Sequence, residues 1–181
     1  MDHLYFVRHG QSVANANKII ADADSLLTQL GLSQAKEAAG LLKSLDIDLI
    51  ISSPMTRAKE TAEVIAESIG YDKSKILTID DLKERGLGDL ENEPKNQESR
   101  WYFDTANGLG METHQELCFR MKRVLTYVLE TYRDYSNILI SGHSISGDML
   151  RLISDNKSDF TLLADYELTK NAGYFELNIQ K

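Results

Sequence analysis

Residues 4–12 of this chain read Leu-Tyr-Phe-Val-Arg-His-Gly-Gln-Ser, and this stretch decides the fold. Four consecutive apolar residues that favour β-structure predict a buried strand too short to be a helix. The strand ends at Arg8 and His9, which places a permanent cation and a titratable imidazole at its carboxyl end, where open α/β sheets bind ligands. We expect Gly10 to take a backbone conformation closed to other residues and to let a ligand approach the main chain.

The composition is that of an ordinary globular chain. Its 181 residues are enough for one domain with a proper core, so we assign residues 1–181 to a single domain. No apolar run approaches the roughly 20 residues of a membrane span, and the first residues lack the basic segment of a signal peptide. The only cysteine, Cys118, excludes an intrachain disulfide and fits a reducing compartment. We therefore expect a cytoplasmic protein without a membrane partner.

The charge balance restricts the partners further. With 20 Lys and Arg against 28 Asp and Glu, the formal net charge is -8. This excess of negative charge argues against general affinity for nucleic acid or anionic membranes. Any anion site must therefore be local, built from a few converging cations.

Buried strands and amphipathic helices alternate along the chain. Beyond the first strand, apolar runs predict strands at 48–52, 76–79 and 137–141 and an alternating edge strand at 174–179. Apolar residues at helical spacing predict helices over four further segments: from Thr28 or Ser33 to about Leu45, from a Ser53-Pro54 cap to Gly70, from a capping box at Thr113 to Tyr132, and from about Ile145 to Ile153. This alternation predicts a three-layer α/β/α sandwich with a mostly parallel central sheet and helices on both faces.

Three segments with reactive or cationic side chains follow three of the predicted strands. They are residues 8–9, residues 53–57 and residues 142–143. Because the carboxyl ends of parallel strands meet at one edge of a sheet, we expect these segments to form a single site.

The side chains in these segments suit chemistry on a phosphoryl group. Arg8, Arg57 and His143 can converge as donors on one anion, and arginine presents a planar fork that matches phosphate oxygens. His9 is left to act as a nucleophile, because a free imidazole has a pKa of about 6.5 and its neutral form is available near neutrality. The departing alkoxide needs a proton, and Glu84, in an irregular segment after the third strand, is the best-placed acid.

Structural explanations of the same residues remain open at this point. Arg57 is either a site residue or a solvated helix residue that pairs with Glu60 or Glu63. His143 is either a phosphate ligand or a satisfied core histidine. Metal binding is disfavoured, because the sequence has no His, Cys and Asp pairs at ligand spacing.

The remaining histidines, the cysteine, a glycine pair and an aromatic cluster receive no catalytic role. His3 lies near the terminus and His114 lies in the first turn of a helix, so we assign neither to the site. The glycines within residues 86–88 are too close together for a nucleotide-binding loop. Cys118 lacks an activating partner in the sequence, and the aromatic residues 101–103 either line a substrate pocket or anchor a lid.

Short motifs occur in order along almost the whole chain: residues 8–15 (R-H-G-Q-S-x-x-N), residues 24–35 (D-x-x-L-T-x-x-G followed by Q-A), residues 52–62 (S-S-P-M-x-R-A-x-x-T-A), residues 82–91 (L-x-E-x-x-L-G-x-x-E), Glu112-Thr113 with Arg120, and Gly142-His143-Ser144. Together they closely resemble the motifs of the histidine phosphatase superfamily, which has the phosphoglycerate mutase-like fold. Single motifs are weak evidence, but the ordered set is highly specific.

The resemblance implies a role for each residue of the site. His9 would become phosphohistidine, and Glu84 would be the proton donor and then the base for water. The phosphate-binding residues that it implies are Arg8, Asn15, Arg57, His143, Gln11 and Ser144. The roles of Asn15 and Gln11 rest on the resemblance alone. Asn92 and Met111 replace glycines of the family pattern, which concerns the shape of a lid that we expect over residues 92–110.

Our first functional hypothesis is a metal-independent phosphatase that hydrolyses small phosphorylated metabolites without a cofactor, as a monomer or homodimer. Only 27 residues separate Glu84 from Glu112, which leaves little room for the longer insertion that looks typical of glycolytic mutases. A short, open lid would admit water to the phosphoenzyme.

Three alternatives stand beside it. A phosphoglycerate mutase would need 2,3-bisphosphoglycerate as primer, and Arg85, Lys95 and Arg100 could grip its substrate's carboxylate. Against a mutase, Ile145 stands where these enzymes usually have asparagine, and Leu87 where they have tyrosine. The others are a non-catalytic phospho-ligand-binding protein and a phosphatase of phosphoproteins.

Overall fold

Strands and helices alternate in the computed structural model of the chain, which describes residues 1–95, 110–157 and 168–179. The elements in chain order are β1 (His3–Arg8), α1 (Val13–Ala16), α2 (Gln29–Leu42), β2 (Leu49–Ser52), α3 (Thr56–Ile69), β3 (Leu77–Thr78), α4 (His114–Thr131), β4 (Asn137–Gly142), α5 (Ser144–Ser154) and β5 (Tyr174–Leu177). Short 3-10 helices occur at Lys43–Leu45, Lys73–Lys75, Asp80–Leu82 and Gly88–Leu90. Most of the expected lid, including residues 101–103, lies outside the described residues.

The described strands form one sheet in the order β3-β2-β4-β1-β5. All pairs among the first four strands are parallel, whereas β5 pairs antiparallel with β1 at the edge. This arrangement confirms the mostly parallel sheet and the edge strand that the sequence predicts. Among the described helices, none is both long and apolar enough to cross a membrane.

Each central strand buries both of its faces, so the sheet lies between two layers of helices. Leu4 and Phe6 of β1 belong to the core with α4 and α5. Tyr5 and Val7, which alternate with them, belong to the core with α2 and α3. Burial on both faces explains why the strands are continuous apolar runs, and the three-layer sandwich is confirmed.

Local capping explains where most helices begin. The Thr113 hydroxyl accepts from the Glu116 amide in a capping box, and Thr28, not Ser33, caps α2. The expected Ser53-Pro54 start of α3 is wrong, because the helix begins at Thr56 after a Met55 cap residue. The hydroxyl of Ser53 instead makes a tertiary contact in the candidate site.

Gly10 is required for close backbone packing, and its φ does not lie in the left-handed region. A Cβ at this position would overlap the carbonyl oxygen of Gly31, and a Cβ at Gly31 would overlap the carbonyl oxygen of Gln11. The loop after β1 and the first turn of α2 therefore touch through bare backbone.

A second close contact sets the position of α5. A Cβ at Gly147 would overlap the ring of Phe6, and a Cβ at Gly142 would lie 2.8 Å from the same ring. The two glycines let α5 and the end of β4 lie against the large side chain of β1.

We expect Gly147→Ala to lower the free energy of unfolding by about 1–3 kcal/mol, because the added methyl group overpacks the core against Phe6. Gly40→Ala is the matched control, since Gly40 is exposed in α2 and its Cβ would meet nothing within 4 Å. The control should stabilise the protein by about 0.5–1 kcal/mol through helix propensity. Urea denaturation measures both changes, and stabilisation by Gly147→Ala would contradict the packing.

Candidate active site

The three predicted segments meet at the carboxyl edge of neighbouring strands β2, β4 and β1. The amide of His9 donates to the Gly142 carbonyl at 2.9 Å, and the amide of Ser53 donates to the Ser141 carbonyl at 2.9 Å. These bonds continue the parallel pairing past the strand ends, so that the loops carrying His9, Arg57 and His143 leave the sheet side by side.

The ring of His9 is held in one tautomer. Its Nδ1 lies 2.6 Å from the carbonyl oxygen of Gly10, which can only accept, so Nδ1 carries the proton. Its Nε2 is therefore unprotonated, and the lone pair of this atom accepts a hydrogen bond from Nε of Arg57 at 3.2 Å. His9 is only 3% exposed, yet it lines a cavity, so its neutral imidazole is presented to a small ligand.

The environment favours the neutral form of this imidazole. Burial, followed by the charges of Arg57 and Arg8, holds the pKa of His9 well below 6.5, and the bond to the Gly10 carbonyl only partly opposes them. Burial, followed by Arg57, likewise holds the pKa of His143 well below 6.5.

Arg57 is a buried site residue and not a solvated partner of Glu60 or Glu63. It is 2% exposed, and its Nη1 donates to the Asp22 carbonyl at 2.5 Å while its Nε reaches His9. Glu60 instead accepts from the amide of Leu27 at 2.7 Å. The first turn of α3 therefore aims this guanidinium at the nucleophile candidate.

Three buried polar atoms of the site have no hydrogen-bond partner within the described ranges: Nε of Arg8, Nδ1 of His143 and Oγ of Ser144. Arg8 and Ser144 line the cavity. His143 is fully buried and is not among the lining residues, with Nε2 2.8 Å from Oγ of Ser53 and its ring centre 5.3 Å from that of His9. It is therefore only half satisfied as a core histidine. Buried polar atoms are rarely left unpaired, so these atoms are available to a ligand.

Glu84 lines the same cavity, and backbone amides hold both of its carboxylate oxygens. Oε1 accepts from the amides of Ser146 at 2.9 Å and Arg85 at 3.0 Å, and Oε2 accepts from the amide of Ile145 at 3.1 Å. Two of these amides lie in the first turn of α5, where the helix dipole favours negative charge. The same helix that carries Ser144 thus also holds the acid candidate.

A salt bridge supports the segment that carries Glu84. Arg120 binds Glu112 with two nitrogen atoms, at 2.5 and 2.7 Å, and also donates to the carbonyls of Asp81, Lys83 and Glu84. The bidentate geometry fixes the irregular chain between β3 and the cavity.

Both charged and apolar side chains line the cavity. Its charged lining residues within the described ranges are Arg8, Arg57, Arg85, Lys95, Glu84 and Glu91. Four cations against two carboxylates give this part of the lining a net positive charge, in contrast to the net charge of -8 of the whole chain. Its apolar lining residues include Ile20, Leu87 and Ile145. Within the described ranges, no group of three or more His, Cys, Asp or Glu residues is placed to hold a metal ion.

The two residues implied only by the resemblance differ in position. Asn15 lines the cavity, and its Oδ1 accepts from Nδ2 of Asn171 at 3.3 Å. Gln11 does not line the cavity, because its Oε1 accepts from the hydroxyl of Thr28 at 2.9 Å. In this conformation Gln11 supports the loop beside the site.

Sequence reasoning missed the short segment 168–173 as part of the site. Nδ2 of Asn171 donates to the His9 carbonyl at 3.2 Å, and the carbonyl of Thr169 accepts from Arg8 at 2.5 Å. The only sequence signal was a turn-forming Asn-Ala-Gly before the last strand, which does not indicate proximity to His9.

Comparison with known proteins identifies the family of the chain. A profile of the histidine phosphatase superfamily (branch 1) matches residues 4–180. An uncharacterized phosphatase, PhoE, of Bacillus subtilis is 35% identical over 144 residues, covering 79% of this chain and 72% of its own. A probable phosphoglycerate mutase, GpmB, of Salmonella paratyphi A is 36% identical over 158 residues, covering 81% of this chain and 71% of its own.

Solved structures share the fold. The α-ribazole phosphatase of Shigella flexneri superimposes with a TM-score of 0.84 at 23% identity, covering 99% of this chain and 91% of the other. A mycobacterial glucosyl-3-phosphoglycerate phosphatase superimposes with a TM-score of 0.83 at 21% identity, covering 97% and 92%. On its family profile, its relatives and its fold, this chain belongs to the histidine phosphatase superfamily.

Proposed function

We propose that the protein is a phosphatase that hydrolyses small phosphomonoesters through a phosphohistidine on His9, without a metal ion. The observation that carries the proposal is the state of His9. Its Nδ1 proton is committed to the Gly10 carbonyl at 2.6 Å, and its Nε2 lone pair lies beside the guanidinium of Arg57 at a cavity. A neutral imidazole next to an anion-binding cation suits attack on a phosphoryl group.

The phosphoryl oxygens would be bound by Arg8, Arg57 and Ser144, with His143 beneath them and Asn15 beside them. The Nε of Arg8 and Oγ of Ser144 supply donors that no other described group occupies, in side chains that line the cavity. Preorganised donors of this kind stabilise the charge of a transferring phosphoryl group.

The reaction has two balanced steps. Nε2 of His9 attacks phosphorus, the ester P–O bond breaks, and Glu84 gives its proton to the departing alkoxide. A water molecule then attacks the phosphohistidine, its proton passes to Glu84, and the N–P bond breaks to release phosphate. After the second step, His9 is again unmodified and Glu84 is again protonated.

Phosphoglycerate mutase is the second candidate, which Arg85 and Lys95 favour because both line the cavity. The guanidinium of Arg85 already donates to the Glu112 carbonyl at 2.7 Å and lies 3.0 Å from Nε2 of His114. Leu87 and Ile145 also present apolar carbon where the resemblance to mutases calls for polar side chains. We therefore rank the phosphatase first.

We expect the protein to release phosphate from several small phosphomonoesters, with chelator present and no bisphosphoglycerate. His9→Ala should abolish this release while circular dichroism shows an intact fold, because the nucleophile is lost. Formation of 2-phosphoglycerate from 3-phosphoglycerate only after primer is added would establish the mutase instead. Phosphate binding without an acid-labile phosphoenzyme would indicate a binding protein.

We expect the relative losses in kcat of Arg57→Ala and Glu84→Gln to depend on the leaving group of the substrate. With an activated aryl phosphate, Arg57→Ala should lose about 100- to 1,000-fold in kcat, whereas Glu84→Gln should lose less than about 10-fold. With an alkyl phosphate, Glu84→Gln should also lose about 100-fold or more, because that leaving group needs the proton. Lys59→Ala, an exposed cation of the same helix, is the control for Arg57→Ala. Equal losses for the two variants on the aryl ester would contradict the acid role of Glu84.

The mechanism requires a neutral His9, which has a consequence for stability. The native pKa of His9 lies well below 6.5, so the unfolded state binds more protons below that pH, and acidification destabilises the fold. From pH 7.5 to 5.5, the wild type should lose about 1 kcal/mol more of its free energy of unfolding than His9→Ala does. Urea titrations at both pH values measure this difference, and identical losses would mean that His9 titrates normally in the native protein.

A further inference from the structure

Asp148 is a buried carboxylate that the proposed reaction does not use. It lies in α5, is 0% exposed, and sits between apolar core residues of the same helix. Carboxylates are almost never fully buried unless they are paired, because desolvation of the charge is costly. A well-packed apolar side chain at this position would avoid the cost of desolvation, so stability alone does not explain a carboxylate here. The contacts of Asp148 supply the explanation.

The principal partner of Asp148 is Thr169, in the segment that returns to the site. Oδ1 of Asp148 accepts from the hydroxyl of Thr169 at 2.8 Å, and Oδ2 accepts from its amide at 3.2 Å. Nη2 of Arg151 lies 3.2 Å from Oδ1 and balances the charge. The amide and the hydroxyl of Thr169 therefore both donate to the same carboxylate.

Thr169 in turn holds Arg8. Its carbonyl accepts from Nη1 of Arg8 at 2.5 Å, whereas Nε of Arg8 has no hydrogen-bond partner in the part of the chain that the structure describes. The direction of the guanidinium thus depends on where the Thr169 carbonyl lies. Burial lowers the pKa of Arg8, and the carboxylates of Glu84 and Asp148 lie close enough to oppose that lowering in part.

The rest of the segment is tied to β1. The amide of Arg8 donates to the Gly173 carbonyl at 2.9 Å, and the amide of Ala172 donates to the His9 carbonyl at 3.1 Å. Asp148 adds a contact from α5, whose first turn lies at the cavity, to the start of this segment.

We propose that Asp148 is a positioning residue, which holds the backbone of Thr169 against α5 and thereby fixes the guanidinium of Arg8 in the phosphoryl site. This inference rests on the proposed function for its kinetic readout, but phosphate binding tests it without turnover. The chain of contacts runs from Asp148 to Thr169 to Arg8, and Asp148 is not among the described residues that line the cavity.

Two substitutions interrupt this chain at different contacts. Asp148→Asn keeps a hydrogen-bonding side chain of the same size and removes the charge. Thr169→Val removes only the hydroxyl, and Thr169→Ser restores it, so the serine variant is the conservative rescue. Leu152→Val is the control for general loosening of α5, because Leu152 is fully buried in the same helix and packs in its apolar core.

The decisive experiment is a double-mutant cycle with Arg8→Lys, measured as kcat/KM on an aryl phosphate and as the Kd for inorganic phosphate. We expect Asp148→Asn and Thr169→Val each to lose about 10-fold in kcat/KM, Arg8→Lys about 100-fold, and each pair no more than Arg8→Lys alone. Thr169→Ser and Leu152→Val should stay within about 2-fold of the wild type. If Asp148→Asn does not fold, the Thr169 cycle alone tests the proposal.

The possible results separate this inference from the proposed function. Losses that multiply with Arg8→Lys, or a Leu152→Val loss equal to that of Asp148→Asn, would overturn the positioning role even in an active phosphatase. A wild-type protein without turnover would overturn the proposed function. In that case, non-additive losses of phosphate affinity in the same cycle would still support the role of Asp148.

Discussion

The hydrogen bond from Nδ1 of His9 to the carbonyl of Gly10 is the interaction on which the site depends. It sets the tautomer of the imidazole, and the tautomer decides that Nε2 is the nitrogen with a lone pair beside Arg57. The acceptor is a backbone carbonyl of the adjacent residue, so the bond requires no side chain other than the imidazole itself. Burial and two neighbouring guanidinium groups then keep the ring neutral. Every chemical role that we propose for the surrounding residues assumes this one orientation.

Helix α5 organises what surrounds His9. Its first turn carries Ser144 and gives two amides to Glu84, and further along Asp148 holds Thr169. Gly147 allows the helix to lie directly on Phe6 of β1, the strand that ends at Arg8 and His9. Glu84, Ser144 and, through Thr169, Arg8 are therefore all held by contacts to one helix, whereas Arg57 comes from α3. Such a frame suits chemistry in which the distance between nucleophile and acid has to be constant.

The sheet and the three site segments could be predicted from the sequence, because each segment follows a buried apolar run directly and parallel strands bring their carboxyl ends together. What could not be predicted rests on pairings between distant residues. Ser53 has the local pattern of a helix cap, but its hydroxyl pairs with His143, 90 positions away. Thr169 and Asn171 lie in an irregular segment without periodicity, and Asn171 meets His9 across 162 positions. Gln11 belongs to a family motif, yet its side chain turns to Thr28, which a motif cannot specify.

The contact between Gly10 and Gly31 also limits how this protein can change. Neither position can acquire a side chain unless α2 moves away from the loop that follows β1. Since α2 packs against α3, which carries Arg57, such a movement would shift the guanidinium relative to the imidazole. The close contact at the two glycines therefore helps to set the distance between the imidazole and the guanidinium. Among the described lining residues, Ile20, Leu87 and Ile145 are not among the atoms nearest to the two glycines, so their side chains are the better positions at which to change substrate preference.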